Sequence, residues 1–228
     1  MAWEVFEREA LRYDAWYATA RGRRASDAEE ALLGWLLGAF PDAHTALEIG
    51  CGTGHFTRRL ARHGLEAIGL DRAPAMLAAL RRLDPELPAV LADAHRLPLR
   101  DGAVDVAIFI ATLEFLERPR DALAEAARVA RMGIAALILN RWSRGGISRR
   151  WGRQSRGAIL PHARDLSAPE ARRLLRRATG PALRGLRWRC ALFPGPFHGA
   201  MGRLPLGDMI GIAAELGPAP AAVRVRPR

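Results

Sequence analysis

The sequence predicts an α/β protein: a mostly parallel β-sheet covered by helices on both faces. Three observations carry that expectation. Short apolar runs alternate with helical patterns between residues 46 and 139. One run, residues 104–110, reads Val-Asp-Val-Ala-Ile-Phe-Ile, the near-continuous apolar character of a strand buried on both faces. The first run ends in Gly50-x-Gly52-x-Gly54. That spacing marks a tight turn at a strand's carboxyl end, where a ligand can approach the main chain because no Cβ intervenes.

The elements follow in chain order. Residues 2–19 place Phe6, Ala10, Tyr13 and Tyr17 at helical spacing. Ser26-Asp27-Ala28-Glu29 has the form of a capping box and predicts a helix through Leu37, before Pro41. Residues 46–49 are the first strand, and a helix over 53–63 leaves the glycine turn and ends at Gly64. Residues 67–70 form a second strand stopped by Asp71. Residues 73–83 are helical, with Pro74 in the first turn. A third strand over 89–92 is stopped by Asp93, and 104–110 is the fourth. A helix over 120–131 and a fifth strand over 134–139 complete the alternation.

After Asn140 the pattern changes. Residues 141–164 carry Gly145, Gly146, Gly152 and Gly157 with Trp142 and Trp151 among many arginines, which predicts an irregular or short-helical insertion. Ser167-Ala-Pro-Glu170 opens another helix, running to Ala178 and stopped at Gly180. Residues 183–193 and 208–216 read as two closing strands joined by a Pro/Gly-rich loop, and the last residues as a loose tail.

Composition narrows the function classes. A chain of 228 residues fits one domain, and with half its residues hydrophobic it can fill a sizeable core. No run approaches the ~18 apolar residues of a membrane span. The first residues, Met-Ala-Trp-Glu-Val-Phe-Glu-Arg-Glu, are acidic and lack the apolar stretch of a signal peptide. Two cysteines, Cys51 and Cys190, offer neither a disulfide framework nor metal-ligand spacing, so a cytoplasmic protein without a metal is expected. The net charge of +11 is uneven, and all 35 basic residues are arginine. Residues 1–140 hold 17 Arg against 20 acidic residues, whereas residues 141–190 hold 14 Arg against Asp165 and Glu170 alone. Such a block fits an acidic substrate, RNA, an anionic membrane surface, or simply a solvated face.

Three acids stand in comparable places: Glu48 inside strand one, Asp71 ending strand two, Asp93 ending strand three. Ligands of open parallel sheets bind beyond the carboxyl ends of the strands. Asp71, about 20 residues past the glycines, is placed to accept hydrogen bonds from two ribose hydroxyls. Asp93 is placed to face the exocyclic amine of a purine. The set describes a nucleoside ligand with no required phosphate. A dinucleotide fingerprint would need G-x-G-x-x-G, and position 55 is His.

At this point the sequence resembles the class I S-adenosylmethionine-dependent methyltransferases, notably the group containing the ubiquinone/menaquinone-biosynthesis enzymes and many small-molecule methyltransferases. The residues that carry the likeness are 47–54 (Leu-Glu-Ile-Gly-Cys-Gly-Thr-Gly), 69–77, 92–99 and 101–108, with Tyr13-Asp-Ala-Trp-Tyr17 similar to the family's leading helix. The resemblance implies a Rossmann-like fold with a mostly parallel seven-stranded sheet and S-adenosyl-L-methionine as cofactor. It implies a single methyltransferase domain over 1–228. Within it, residues 1–40 are an N-terminal helical lid, 44–140 the cofactor-binding core and 141–165 the Arg/Trp-rich insertion. Residues 166–217 are the closing helix and two strands, and 218–228 the tail.

It also implies roles. Gly50, Gly52 and Gly54, with Glu48 and Cys51 in the same octet, surround the methionine part and ribose. Asp71 holds the ribose hydroxyls with Arg72 and Met76 beside the adenine, and Asp93 and Ala94 meet its edge. Ile110, Ala111 and Thr112 lie where the methyl donor faces substrate. Tyr13 and Tyr17 either close over the cofactor or serve helix packing.

Methyl transfer is an in-line displacement from an activated donor, so proximity and alignment, worth ~7–11 kcal/mol, dominate. A base is needed only for an acceptor that arrives protonated. Candidates are Glu114, which also reads as a substrate contact or helix-start acid, and His162, with His55 a weaker choice. Many relatives carry a histidine after strand four, whereas this chain reads Ala111-Thr-Leu-Glu-Phe115. Trp142, Trp151, Arg141, Arg149 and Arg150 suit a pocket for an anionic or flat small molecule. No RNA-binding module is recognisable, which disfavours a nucleic-acid partner without removing an RNA-directed methyltransferase as an alternative. A second alternative is a protein that keeps the cofactor site without catalysis.

Overall fold

The computed structural model describes residues 3–150, 159–193 and 200–217. Helices α1 (Trp3–Tyr13) and α2 (Ala20–Leu37) precede an alternating series: β1 (Thr45–Ile49), α3 (Thr57–Arg62), β2 (Glu66–Asp71), α4 (Pro74–Leu83), β3 (Ala89–Leu91) and β4 (Val104–Ile110). Then come α5 (Pro119–Val129), β5 (Ala130–Leu139), α6 (Arg144–Arg150), α7 (Ala168–Thr179), β6 (Leu183–Ala191) and β7 (Met209–Leu216). The seven strands form one sheet in the order β3-β2-β1-β4-β5-β7-β6. Strands β1 to β5 pair in parallel, and β7 runs antiparallel between β5 and β6. The predicted mostly parallel, seven-stranded sheet is thus observed.

Period-two alternation explains the two helical layers. Along β4, Val106, Ile108 and Ile110 pack with Leu32, Leu33 and Leu36 of α2 and Leu60 of α3. Ala107 and Phe109 face the opposite way, into α5 and α7. The whole of β4 is buried, which is why its sequence is a continuous apolar run. The chain winds outward from β1 to β3 and then crosses to β4 on the other side of β1. The carboxyl ends of β1 and β4 therefore open a crevice where the winding reverses.

Several boundaries differ from expectation, each for a local reason. Helix α1 stops at Tyr13, and the 2–19 pattern is divided by a turn before α2. Helix α2 begins at Ala20 because Thr19 caps it, its Oγ1 accepting the Gly22 N–H at 2.9 Å. Ser26 and Glu29 are buried inside that helix and do not cap it. Helix α3 starts at Thr57, after the predicted residue 53, since Gly50, Gly52 and Gly54 take φ of 80°, 55° and 78°, incompatible with a right-handed helix. Strand β5 reaches back to Ala130, which pairs with Val104 and ends α5 at Val129. Arg131 then meets Asp105 at 2.6 Å, and Asp105 also accepts the backbone N–H groups of His44 and Thr45. Helix α7 opens after Ser167 as expected, and the structure shows Ser167 and Glu170 forming a capping box there. The predicted tail from residue 218, Trp151 and part of the loop joining the closing strands lie outside the described residues. No described helix is long and apolar enough to cross a membrane.

Candidate functional site

A solvent-open cleft with about 830 Å³ of empty space lies at the carboxyl ends of β1, β2 and β4. Its floor is the glycine turn, at Gly50 and Gly52. One wall is Asp71 to Ala73 with Met76, a second is Ala92 to His95, and a third is Ile110 to Thr112 with Phe115, Leu116 and Glu117. Trp3, Phe6 and Tyr13 of α1 form the roof.

The turn is fixed to β2 by its main chain. The N–H groups of Gly50 and Cys51 both donate to the Leu70 carbonyl, at 2.7 and 3.0 Å. Gly52 donates to Asp71 Oδ2 at 2.8 Å, and Ala73 N–H donates to Asp71 Oδ1 at 2.8 Å. Burial pushes the Asp71 carboxyl up from its ordinary range while these backbone donors pull it back. The glycines are needed for different reasons. A Cβ at Gly50 would sit 2.3 Å from Thr112 Cγ2, and one at Gly54 would sit 2.8 Å from Leu87 Cδ2. At Gly52 the nearest atom would be Met76 Sδ, at 3.8 Å, so this glycine presents bare main chain to open space. Across the cleft Ala111 is left-handed at φ 48°, an unusual conformation for a residue with a Cβ, held at the end of β4.

Asp93 accepts from the His95 N–H at 2.9 Å and lies 2.6 Å from His95 Nδ1, with Arg72 Nη1 at 3.6 Å. Burial works to raise the Asp93 carboxyl, but His95 and Arg72 outweigh it and hold it below its ordinary value. The Arg72 guanidinium also lies 5.3 Å from the centre of the Trp3 ring. The roof is pinned by Glu7, whose carboxylate accepts the Ala75 N–H at 3.0 Å, and by an edge-on contact of Phe6 with Phe115 at 4.9 Å.

The structure brings Tyr13, Gly50, Gly52, Asp71, Arg72, Met76, Asp93, Ala94, Ile110 and Thr112 together around this one cleft. Burial pushes the Tyr13 phenol up to about 12. Glu48, Cys51, Gly54 and Tyr17 lie outside its lining. Glu48 is buried beneath the turn, accepts Thr57 Oγ1 at 2.5 Å, and is pushed up to about 8 by burial. Cys51 packs with Leu77 and Leu80. Tyr17 stacks on His55, ring centres 3.6 Å apart. Burial first, then Arg59, Arg58 and Arg62, pull that histidine down to about 3, and Ser26 Oγ holds its Nε2 at 3.0 Å. His55 is therefore a neutral pin between α2 and the turn.

Neither leading base candidate lines the cleft. Glu114 sits in a 3₁₀ turn over Leu113–Phe115, and its carboxylate accepts the Leu139 backbone N–H, tying that turn to the end of β5. His162 is exposed in a second 3₁₀ turn, Leu160–His162. Arg149 and Arg150 end α6, but their side chains, like Trp151, lie outside the described residues. Trp142 is exposed and lines no cleft described here. Sequence reasoning missed Trp3, Phe6, His95, Phe115, Leu116 and Glu117 as lining residues. A signal existed for the roof: Trp3, Phe6, Ala10 and Tyr13 follow a 3-4-3 spacing, one face of a helix. The 115–117 segment follows β4 without any repeating pattern.

Residues 47–138 match the family model described as a methyltransferase domain. Over this stretch the chain is similar to a methyltransferase domain. Over 116 residues the chain is 39% identical to an uncharacterised methyltransferase of Mycobacterium tuberculosis, covering 51% of this chain and 46% of that protein. Over 134 residues it is 35% identical to a malonyl-[acyl-carrier protein] O-methyltransferase of Serratia marcescens, covering 59% and 50%. The chain thus spans about half the length of the curated relatives it matches. A crystal structure from Thermotoga maritima, described as a SAM-dependent methyltransferase and possible histamine N-methyltransferase, superposes with a TM-score of 0.76 at 24% identity. It covers 94% of this chain and 99% of that one, so the likeness in fold reaches well beyond residues 47–138.

Proposed function

We propose that the protein is an enzyme that transfers a methyl group from S-adenosyl-L-methionine to a small organic acceptor. One observation carries the cofactor reading: the glycine turn offers bare main chain at Gly52 and is latched to the half-buried Asp71 carboxylate beside it. That pairing of a bare backbone with an acid at the end of β2 suits a ribose, which brings two hydroxyl donors and no charge. When bound, S-adenosylmethionine supplies a methyl group already activated on a sulfonium.

This chain's residues bind and orient. Gly50 and Gly52 leave room for the ligand's methionine and ribose, and Asp71 accepts from the ribose hydroxyls. Asp93 and the Ala94 main chain take the adenine edge, with Met76 and Arg72 beside it. Tyr13, Phe6 and Trp3 close the roof and exclude water, which strengthens polar contacts beneath them. An acceptor that arrives ionised needs no base. For one that arrives protonated, Glu117 fits best. It lines the cleft, it is exposed, and no ion pair or side-chain hydrogen bond engages it among the described residues.

The named relative that methylates malonyl-[acyl-carrier protein] supports oxygen of a carboxylate as one acceptor class. The test is incubation with methyl-labelled S-adenosylmethionine and a panel of small carboxylic acids, phenols and amines. Acceptor-dependent label transfer with formation of S-adenosylhomocysteine is expected. Tight binding of S-adenosylhomocysteine without transfer to any class would instead describe a cofactor-binding protein.

A further inference from the structure

A second cleft, open to solvent and with about 680 Å³ of empty space, adjoins the first, and Leu116 lines both. Its apolar surface includes Leu113, Leu166 and Leu174, and four arginines stand around it: Arg141, Arg164, Arg173 and Arg177. Glu170 is the acid in its lining, and that carboxylate is fully engaged. Its Oε1 accepts from Arg141 at 2.6 Å, and its Oε2 accepts from the Ser167 N–H and Oγ at 2.8 and 2.7 Å. Arg141 and Glu170 therefore cancel. The guanidinium groups of Arg164, Arg173 and Arg177 have no ion pair among the described residues, and all three residues are exposed.

Arg173 and Arg177 stand four residues apart on α7, where like charges repel by roughly 0.2–0.5 kcal/mol. The helix dipole compensates only Arg177, in the last turn. Arg164 comes to the same cleft from a different segment. Three arginines without an ion pair around an apolar floor have the chemistry that recognises a planar or tetrahedral oxyanion attached to a hydrocarbon body.

We propose that this cleft is the anchoring site of the methyl acceptor, an amphipathic acid. Its carboxylate or phosphate is held by Arg164, Arg173 and Arg177, and its apolar body runs along Leu116 toward the cofactor cleft. The proposal rests on the methyltransferase reading for the role of the ligand, while the anion site itself stands on these residues alone.

Calorimetric titration of the full chain with octanoate, octyl phosphate and 1-octanol tests it. At least one of the two anions is expected to bind about tenfold or more tightly than the alcohol, and the tighter of them distinguishes carboxylate from phosphate. Arg173→Ala with Arg177→Ala should weaken that anion about tenfold, and the paired Arg→Lys variant should restore part of it. Saturating S-adenosylhomocysteine should leave anion binding within about twofold. Equal affinity for alcohol and acids, no effect of the variant, or displacement of the acids by S-adenosylhomocysteine would overturn the assignment. So would a single-stranded oligouridylate that binds more tightly than either acid and is lost in the same variant. Failure of S-adenosylhomocysteine to bind the wild-type chain would sink the methyltransferase reading separately, with anion binding still read on its own.

Discussion

The backbone N–H of Gly52 and the carboxylate of Asp71 meet at 2.8 Å, joining the floor of the cleft to the end of β2. The same carboxylate takes the Ala73 N–H on its other oxygen, so it both shapes the turn and faces the cleft. Asp71→Ala should weaken S-adenosylhomocysteine by on the order of tenfold or more, since a hydrogen bond to a charged group contributes about 1.5–3 kcal/mol. Titration calorimetry reads this directly. Wild-type affinity in the variant would remove Asp71 from the ribose contact.

The three glycines should separate when each is changed to alanine. Gly50→Ala drives a Cβ into Thr112, and Gly54→Ala drives one into Leu80 and Leu87. Both should lose at least ~2 kcal/mol of stability by overpacking and left-handed strain together. Gly52→Ala meets its nearest atom only at 3.8 Å and should cost only the ~1–2 kcal/mol of left-handed strain. Its main effect should be on cofactor affinity. Urea unfolding beside ligand titration distinguishes the two patterns, and equal stability losses at all three positions would contradict the assignment.

Glu114 acts as a tether between its 3₁₀ turn and β5. Glu114→Ala should therefore lower stability by about 1–3 kcal/mol, the cost of a buried N–H left without its acceptor. Affinity for S-adenosylhomocysteine should stay within about twofold. A variant as stable as wild type but with altered turnover would return Glu114 to a catalytic role.

Two buried carboxyls make stability fall as pH rises. Burial pushes both Glu29 and Glu48 up to about 8 from an ordinary 4.5. Between those values the folded chain keeps protons that the unfolded chain releases, so unfolding free energy declines from pH 5 toward pH 8. Glu29→Gln and Glu48→Gln should each flatten that slope, and the amide introduced by the second change keeps an acceptor for Thr57. Denaturation at stepped pH checks it, and a slope unchanged in both variants would refute the cause.

The sheet and the floor of the cleft were legible in the sequence because both are local. β4 shows as an unbroken apolar run, and the turn needs glycine at φ values that other residues resist. Asp71 and Asp93 stand out because strands end at them. The roof was half legible: Tyr13 was visible as an aromatic at helical spacing, but Trp3 and Phe6 become cleft residues only once α1 packs on α4 through Glu7 and Ala75. Ser26 and Glu29 satisfied the spacing of a capping box, yet Thr19 took the cap and left both buried within α2, with Ser26 held to His55. The free arginines were visible as a charge excess, but which of them converge depends on how residue 164 is carried to α7. Nothing local in the sequence encodes that meeting.

The cleft above Gly52 and Asp71 is proposed to hold an adenosyl cofactor. Calorimetric titration of the wild-type chain with S-adenosylmethionine, S-adenosylhomocysteine and NADH tests it most directly. Both adenosyl compounds should bind at one site per chain, both should weaken in Asp71→Ala, and NADH should bind far more weakly. Binding of neither adenosyl compound, or preference for NADH, would contradict it.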